Sequence, residues 1–276
     1  VSDGFAAVQR ALPHHAISRA IGHLAKSTTP WIKNTFIQQF ANAYKVNMDE
    51  AAIEDLTAYA SFNDFFTRAL KASARPIDAD PSVLVSPADG AVSQLGPINE
   101  GQLLQAKGHK YSIQHLAGGL SPGFNNGTFI TIYLAPSDYH RVHLPWEGRL
   151  IESLAVPGAL FSVNGSTERA IPGLFCRNER LVCRFETDFG PMLVILVGAM
   201  IVASIETVWP GAASPYHKEV HASHDVRIER GAEMGRFLLG STVICCFPKT
   251  SVVLQENLTE GSTVRMGQAI AYRQSD

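Results

Sequence analysis

The order of apolar and polar positions changes character along the 276-residue chain. Up to about Leu70 its period is helical. Phe5, Val8, Leu12, Ile17, Ile21 and Leu24 recur three to five residues apart, interrupted at Pro13 and closed before Pro30, which predicts a first amphipathic stretch. Trp31, Ile32, Phe36, Ile37, Phe40 and Tyr44 predict a second. A third is expected over Ser61 to Leu70, with Ser61 opening it and Phe62, Phe65 and Phe66 forming its apolar face. After Pro76 short Val, Ile, Leu and Phe runs are separated by turn signals such as Asn125-Asn126-Gly127 and Glu147-Gly148, the texture of a β-rich core. Between the two textures, Ala72 to Pro81 is polar, carries two prolines and lacks a period. The expected fold class is therefore α+β, a helical segment over residues 1–75 followed by a mostly antiparallel β-rich core over residues 76–276.

Composition and charge refine this picture. With 46% apolar and 17% charged residues the chain is of the globular kind. Residues 1–45 carry Arg10, Arg19, Lys26, Lys33 and Lys45 against the single acid Asp3, a local +4 within a net −2. A basic, apolar arm on an acidic body points to an anionic membrane surface and away from nucleic acid. The arm also fits three ordinary helices packed on the core. The longest apolar run, Pro191 to Ile205, is shorter than the ~18 residues a spanning helix needs and reads as buried strands bending near Gly198. Cys176, Cys183, Cys245 and Cys246 form no C-x-x-C pair and no secretory leader is evident, so they read as reduced core residues facing a cytosol.

Three stretches hold polar residues that an apolar core has no need of. In Ser86-Pro87-Ala88-Asp89-Gly90, the Asp-Gly pair after an apolar strand reads by itself as a turn. In Tyr139-His140-Arg141-Val142-His143, two histidines three apart in an extended segment point to opposite sides, which argues against a shared metal, and alone they read as structural histidines. In Leu239-Gly240-Ser241-Thr242 a Gly-Ser turn is the ordinary reading, and the G-x-S-x-G elbow is not matched. Glycine before serine nonetheless suits attack of a hydroxyl on its own preceding carbonyl, because a residue without Cβ bends at little cost.

Taken together, Pro87-Ala88-Asp89-Gly90, Tyr139 to His143, Phe161-Ser162-Val163-Asn164, Arg177-Asn178-Glu179-Arg180, Ser204 to Trp209 and Met234 to Thr242 resemble bacterial phosphatidylserine decarboxylases over nearly the whole chain. The resemblance implies a self-cleaving proenzyme in which Asp89 orients His143, His143 is the base for Ser241, and Ser241 attacks the Gly240 carbonyl. It implies a covalent pyruvoyl group made from Ser241 that forms a Schiff base with the substrate amine, without metal or pyridoxal phosphate. His140 is the implied proton donor to carbon, and Phe161, Ser162 and Asn164 the implied substrate-binding loop. The implied partners are phosphatidylserine, an anionic membrane surface, and the fragments 1–240 and 241–276 as a heterodimer, with a homo-oligomer also allowed. The expected location is the cytoplasmic face of the cell membrane, peripherally bound. Leu238 departs from the lysine common at that position in the family, and His217, His221 and His224 receive no role. The competing reading is a Ser-His-Asp ester hydrolase at a membrane surface; a noncatalytic lipoyl-like carrier would need an exposed lysine turn that Gly240-Ser241 does not offer.

Overall fold

The structure, a computed structural model, describes residues 21–105, 108–163, 165–199, 205–212, 214–238 and 242–274. Most of the first expected helix, and Asn164, Gly240 and Ser241, lie outside the described residues. Helix α1 (Pro30–Tyr44) begins with proline in its first turn, where the missing N–H costs nothing. It ends at Lys45 in the left-handed conformation, whose N–H returns to the Ala41 carbonyl. Helix α2 (Phe62–Phe66) is capped by Ser61, which accepts from the Asp64 N–H at 3.2 Å, while Asp64 accepts from the Ala60 N–H at 2.9 Å. It stops four residues short of the expected Leu70. Residues 69–71 are instead drawn into pairing with 50–52, through Ala52 N–H to Ala69 O and Lys71 N–H to Glu50 O, both 2.9 Å. Ile37 and Ala41 of α1 and the three phenylalanines of α2 form their own apolar cluster, with Phe36 stacked on Phe62 at 4.1 Å.

The strands begin with β1 (Val83–Val85), β2 (Gly90–Pro97), β3 (Gln102–Leu104) and β4 (Lys110–Ser112). After α3 (Ile113–Ala117) come β5 (Thr128–Tyr133), β6 (Arg141–His143) and β7 (Gly148–Val156). The short helices α4 (Gly165–Ala170) and α5 (Leu174–Arg177) lead into β8 (Arg180–Thr187), β9 (Gly190–Val197) and β10 (Ile205–Thr207). The chain continues with β11 (Val220–Ile228), β12 (Glu233–Phe237) and β13 (Thr242–Phe247), then β14 (Val252–Leu254), β15 (Thr263–Val264) and β16 (Ala269–Arg273). Eight of these make one sheet in the order β11-β7-β8-β9-β13-β5-β2-β15, and its pairings are antiparallel, as the sequence pattern leads one to expect. Within the long apolar run β9 ends at Val197, next to the Gly198 where a bend is expected, and residues 200–204 lie outside the described residues. β13 lies inside the sheet with β9 and β5 on either side, and all six of its residues are buried. Its alternate side chains supply two cores: Val243, Cys245 and Phe247 one, Ile244 and Cys246 the other. All four cysteines are free, three of them buried.

A smaller sheet, β10-β12-β6, carries the histidine segment. β6 is gripped on both sides. β12 pairs with it, Glu233 opposite His143 and Arg236 opposite Arg141, and the His143 N–H donates to the Pro87 carbonyl at 2.8 Å. The close approach of β10 explains Gly235, since a Cβ there would collide with the Glu206 carbonyl. A Cβ on Gly90 would likewise strike the Tyr133 carbonyl, which accounts for the glycine after Asp89.

Candidate active site

His143 is buried, and its ring is held at both nitrogens. Nδ1–H donates to the Gly231 carbonyl at 2.8 Å, which leaves the lone pair on Nε2, where it accepts from the Tyr139 hydroxyl at 3.1 Å. Burial pushes this imidazole below its ordinary value, with the Gly231 carbonyl opposing the shift. A neutral ring with its lone pair on Nε2 is the form a general base requires.

His140, at the entrance to β6, is wholly buried. Its Nδ1–H donates to the Asp138 carbonyl at 2.8 Å and the Phe66 ring lies 4.0 Å away. Nε2 has no partner. Burial pushes the His140 imidazole down to about 3, so it too is neutral, with a bare lone pair. The two histidines face different surroundings, in keeping with an extended segment.

Asp89 sits near His143 but does not touch it. Its carboxylate receives the Arg75 guanidinium, Nε–H at 2.8 and 3.0 Å and Nη2–H at 2.5 Å, and the Met266 N–H at 2.9 Å. Arg75 also donates to Glu50 at 2.8 Å. This differs from the expected Asp-His contact: the tautomer of His143 is fixed by the Gly231 carbonyl, because the guanidinium is the stronger partner for the carboxylate. Nothing in the sequence assigns Arg75, Gly231, Tyr139 or Phe66 to the site, although Phe66 is expected on the apolar face of the third helical stretch. Tyr139 lay within a quoted motif, and an arginine in the aperiodic stretch Ala72 to Pro81 was a signal; the carbonyl of Gly231 left none.

The loop Phe161-Ser162 is placed by Asn178, which accepts from the Phe161 N–H at 3.2 Å and donates to the Phe161 and Gly198 carbonyls at 2.8 and 2.9 Å. Ser162 Oγ lies 2.9 Å from Thr167 Oγ1. Glu179 and Arg180 complete a buried lattice: Glu179 accepts from Ser214 Oγ and the Tyr216 N–H, and Arg180 donates to the carbonyls of His115, Leu116 and Cys176. The motif Arg177-Asn178-Glu179-Arg180 thus positions backbone. Gly198 follows Val197, and Val197 is paired with Thr242, the residue after Ser241. From the other side, the Phe237 N–H donates to the His140 carbonyl at 3.0 Å. The described flanks of the Gly240-Ser241 bond therefore reach the histidines at Phe237 and, through Val197 and Asn178, the Phe161 loop at Thr242.

A family model described as phosphatidylserine decarboxylase matches residues 62–272, and a second, described as PSD, matches residues 5–45. The chain belongs to the phosphatidylserine decarboxylase family. A phosphatidylserine decarboxylase proenzyme of Azotobacter vinelandii is 54% identical over 272 residues, covering 95% of both chains. One from Pseudomonas putida is 54% identical over 273 residues, also 95% of each, and one from Ectopseudomonas mendocina 52% identical over 276 residues, 96% of each. Among the described residues, no group of three or more His, Cys, Asp and Glu side chains could hold a metal ion. Nor is any described helix long and apolar enough to cross a membrane.

Proposed function

We propose that this member of the family is a proenzyme that cuts itself between Gly240 and Ser241 and then decarboxylates phosphatidylserine to phosphatidylethanolamine. The observation that carries the residue assignment is the His143 ring, neutral and buried, its tautomer locked by Gly231 with Nε2 left to act as base. Ser241 Oγ attacks the Gly240 carbonyl carbon and gives its proton to His143 Nε2; the amide nitrogen gains a proton as the C–N bond breaks, leaving an ester. Loss of the Ser241 α-proton then expels the Gly240 carboxylate. The resulting dehydroalanine takes up water and releases ammonia, leaving a pyruvoyl group at the head of fragment 241–276.

The described surroundings fit such a group. Thr242 is fixed between Tyr133 and Val197 inside the sheet, and its hydroxyl and His140 Nε2 are buried polar atoms without a partner among the described residues. When bound, the pyruvoyl ketone supplies the electron sink for loss of carbon dioxide. Asp89 keeps Arg75 in place, and with it the turn that holds Gly90 against β5. His140 moves a proton at Nε2, collecting it before returning it to carbon, because the ring starts neutral. The family resemblance assigns Phe161, Ser162 and Asn164 to binding of the headgroup. Residues 1–75 are assigned the membrane contact, for which Trp31, 74% exposed, and the exposed Lys26 are available, and the protein binds peripherally at the cytoplasmic face.

Intact mass under denaturing conditions tests the cut: wild-type chain should separate into 1–240 and 241–276, and Ser241→Ala should stay whole. A cut at the same bond in Ser241→Ala would remove the nucleophile assignment. A whole wild-type chain that hydrolyses esters would favour a hydrolase instead.

A further inference from the structure

Arg68 is a buried cation with too few acceptors. It is 4% exposed, and its Nη2–H donates to the Ser137 carbonyl at 2.9 Å and toward the Asp138 carbonyl at 3.4 Å. Nε–H and Nη1–H find no acceptor among the described residues. A guanidinium offers five N–H groups, and leaving charged donors unmet away from water is costly. The same residue borders a cavity of about 250 Å³ lined also by Lys45, Arg75, Asp89, Asp138 and Arg265. Within that lining the charges do not balance. Arg75 is neutralised by Asp89 and Glu50, and Arg265 lies 3.3 Å from Glu50. Lys45 makes no ion pair among the described residues, and Asp138, the remaining acid, is raised above its ordinary value by burial. Two cations, Arg68 and Lys45, therefore face one remaining acid. The Asp138 carbonyl that receives Arg68 also receives His140 Nδ1–H, so this cavity lies one peptide unit from the histidine.

We infer that this cavity seats an oxyanion of the substrate headgroup, its phosphodiester, with Arg68 as the principal donor and Lys45 at the rim. The inference rests on the chain being a phosphatidylserine decarboxylase. Of the two oxyanions in that headgroup, the carboxylate loses its charge as carbon dioxide departs, so a guanidinium holding it would stabilise the ground state more than the transition state. The phosphodiester keeps its charge throughout, and binding it anchors the substrate without that penalty. Arg68 is thus a binding residue that also fixes the peptide positioning His140.

The test is equilibrium binding to the cleaved protein of sn-glycero-3-phosphocholine, N-acetyl-L-serine and inorganic phosphate. The first carries only the phosphodiester, the second only the carboxylate, and neither has a primary amine to react with a ketone. Wild type should bind sn-glycero-3-phosphocholine, and Arg68→Lys and Arg68→Met should weaken this about tenfold or more while leaving N-acetyl-L-serine unchanged. On phosphatidylserine micelles, Arg68→Lys should raise KM more than it lowers kcat. Loss on N-acetyl-L-serine alone would reassign the site to the carboxylate, and binding of inorganic phosphate without sn-glycero-3-phosphocholine would make it a free-phosphate site; either overturns the proposal. So does failure of wild type to bind sn-glycero-3-phosphocholine, a measurement that stands even where the variants do not fold. Conversion of phosphatidylserine by wild type checks the parent reading separately.

Discussion

His140 and His143 are both held by backbone carbonyls through Nδ1–H, and both present Nε2 as a lone pair, one capped by Tyr139 and the other bare. Their common neutrality has a consequence for stability. An unfolded histidine protonates near pH 6.5, whereas burial holds folded His140 neutral down to about 3. Between these values the unfolded chain binds more protons, so stability rises with pH and is lost as pH falls through this window. Acidification below pH 6.5 should cost up to about 1.4 kcal/mol per pH unit for this residue, and His140→Gln should flatten the slope; melting temperatures of the Ser241→Ala protein from pH 7 to 5 check it. A second expectation concerns Asp89. If its work is to hold Arg75, Asp89→Asn and Arg75→Met should each destabilise by about 3 kcal/mol, the lower end for a broken buried pair because Glu50 remains, and the double variant should lose little more. Additive losses in a double-mutant cycle would return Asp89 to a role independent of Arg75. The candidate histidines were legible because their motif is local; the partner of Asp89 was not, since no spacing rule reveals which cation fourteen residues away a carboxylate will meet.

Helix α2 is only five residues long, yet it joins the helical layer to the site: Phe66 lies against His140, Phe62 stacks on Phe36 of α1, and the Thr67 carbonyl accepts from Arg141. Truncating Phe66 to alanine should cost about 3 to 5 kcal/mol and, because burial is what depresses His140, move that imidazole back toward its ordinary value. NMR titration of His140 in the Phe66→Ala protein reads this directly; an unmoved ring would mean that other groups keep it dry. Deleting residues 1–45 should therefore disturb more than membrane contact, since α1 covers the phenylalanines that cover the histidine. Trp31→Glu is the cleaner probe of docking, being exposed, and should weaken co-sedimentation with anionic vesicles while leaving the fold intact. The helical period announced α1 and the start of α2 well. It overran the end of α2 because the pairing of residues 69–71 with 50–52 is a tertiary event that the local pattern of Thr67 to Leu70 does not encode.

At the scale of the whole molecule a β-rich core was legible in the short apolar runs after Pro76, but the place of β13 in the middle of eight strands was not, because strand order depends on contacts far apart in sequence. That place governs what cleavage does to the protein. The proposed cut at Gly240-Ser241 would leave a short piece whose first strand is bonded on both sides and buried throughout, with β15 and β16 paired to β2 and β1 of the larger piece. The two pieces should elute together in native conditions and part only in denaturant. Before the cut, folding is the private affair of one chain and its rate is indifferent to dilution. After it, regaining the native state requires an encounter between two molecules, so recovery from denaturant should slow as the protein is diluted, while Ser241→Ala recovers at one rate at every concentration. A mature enzyme built this way persists through the height of its unfolding barrier, and maturation makes each unfolding event in a dilute compartment close to a one-way step.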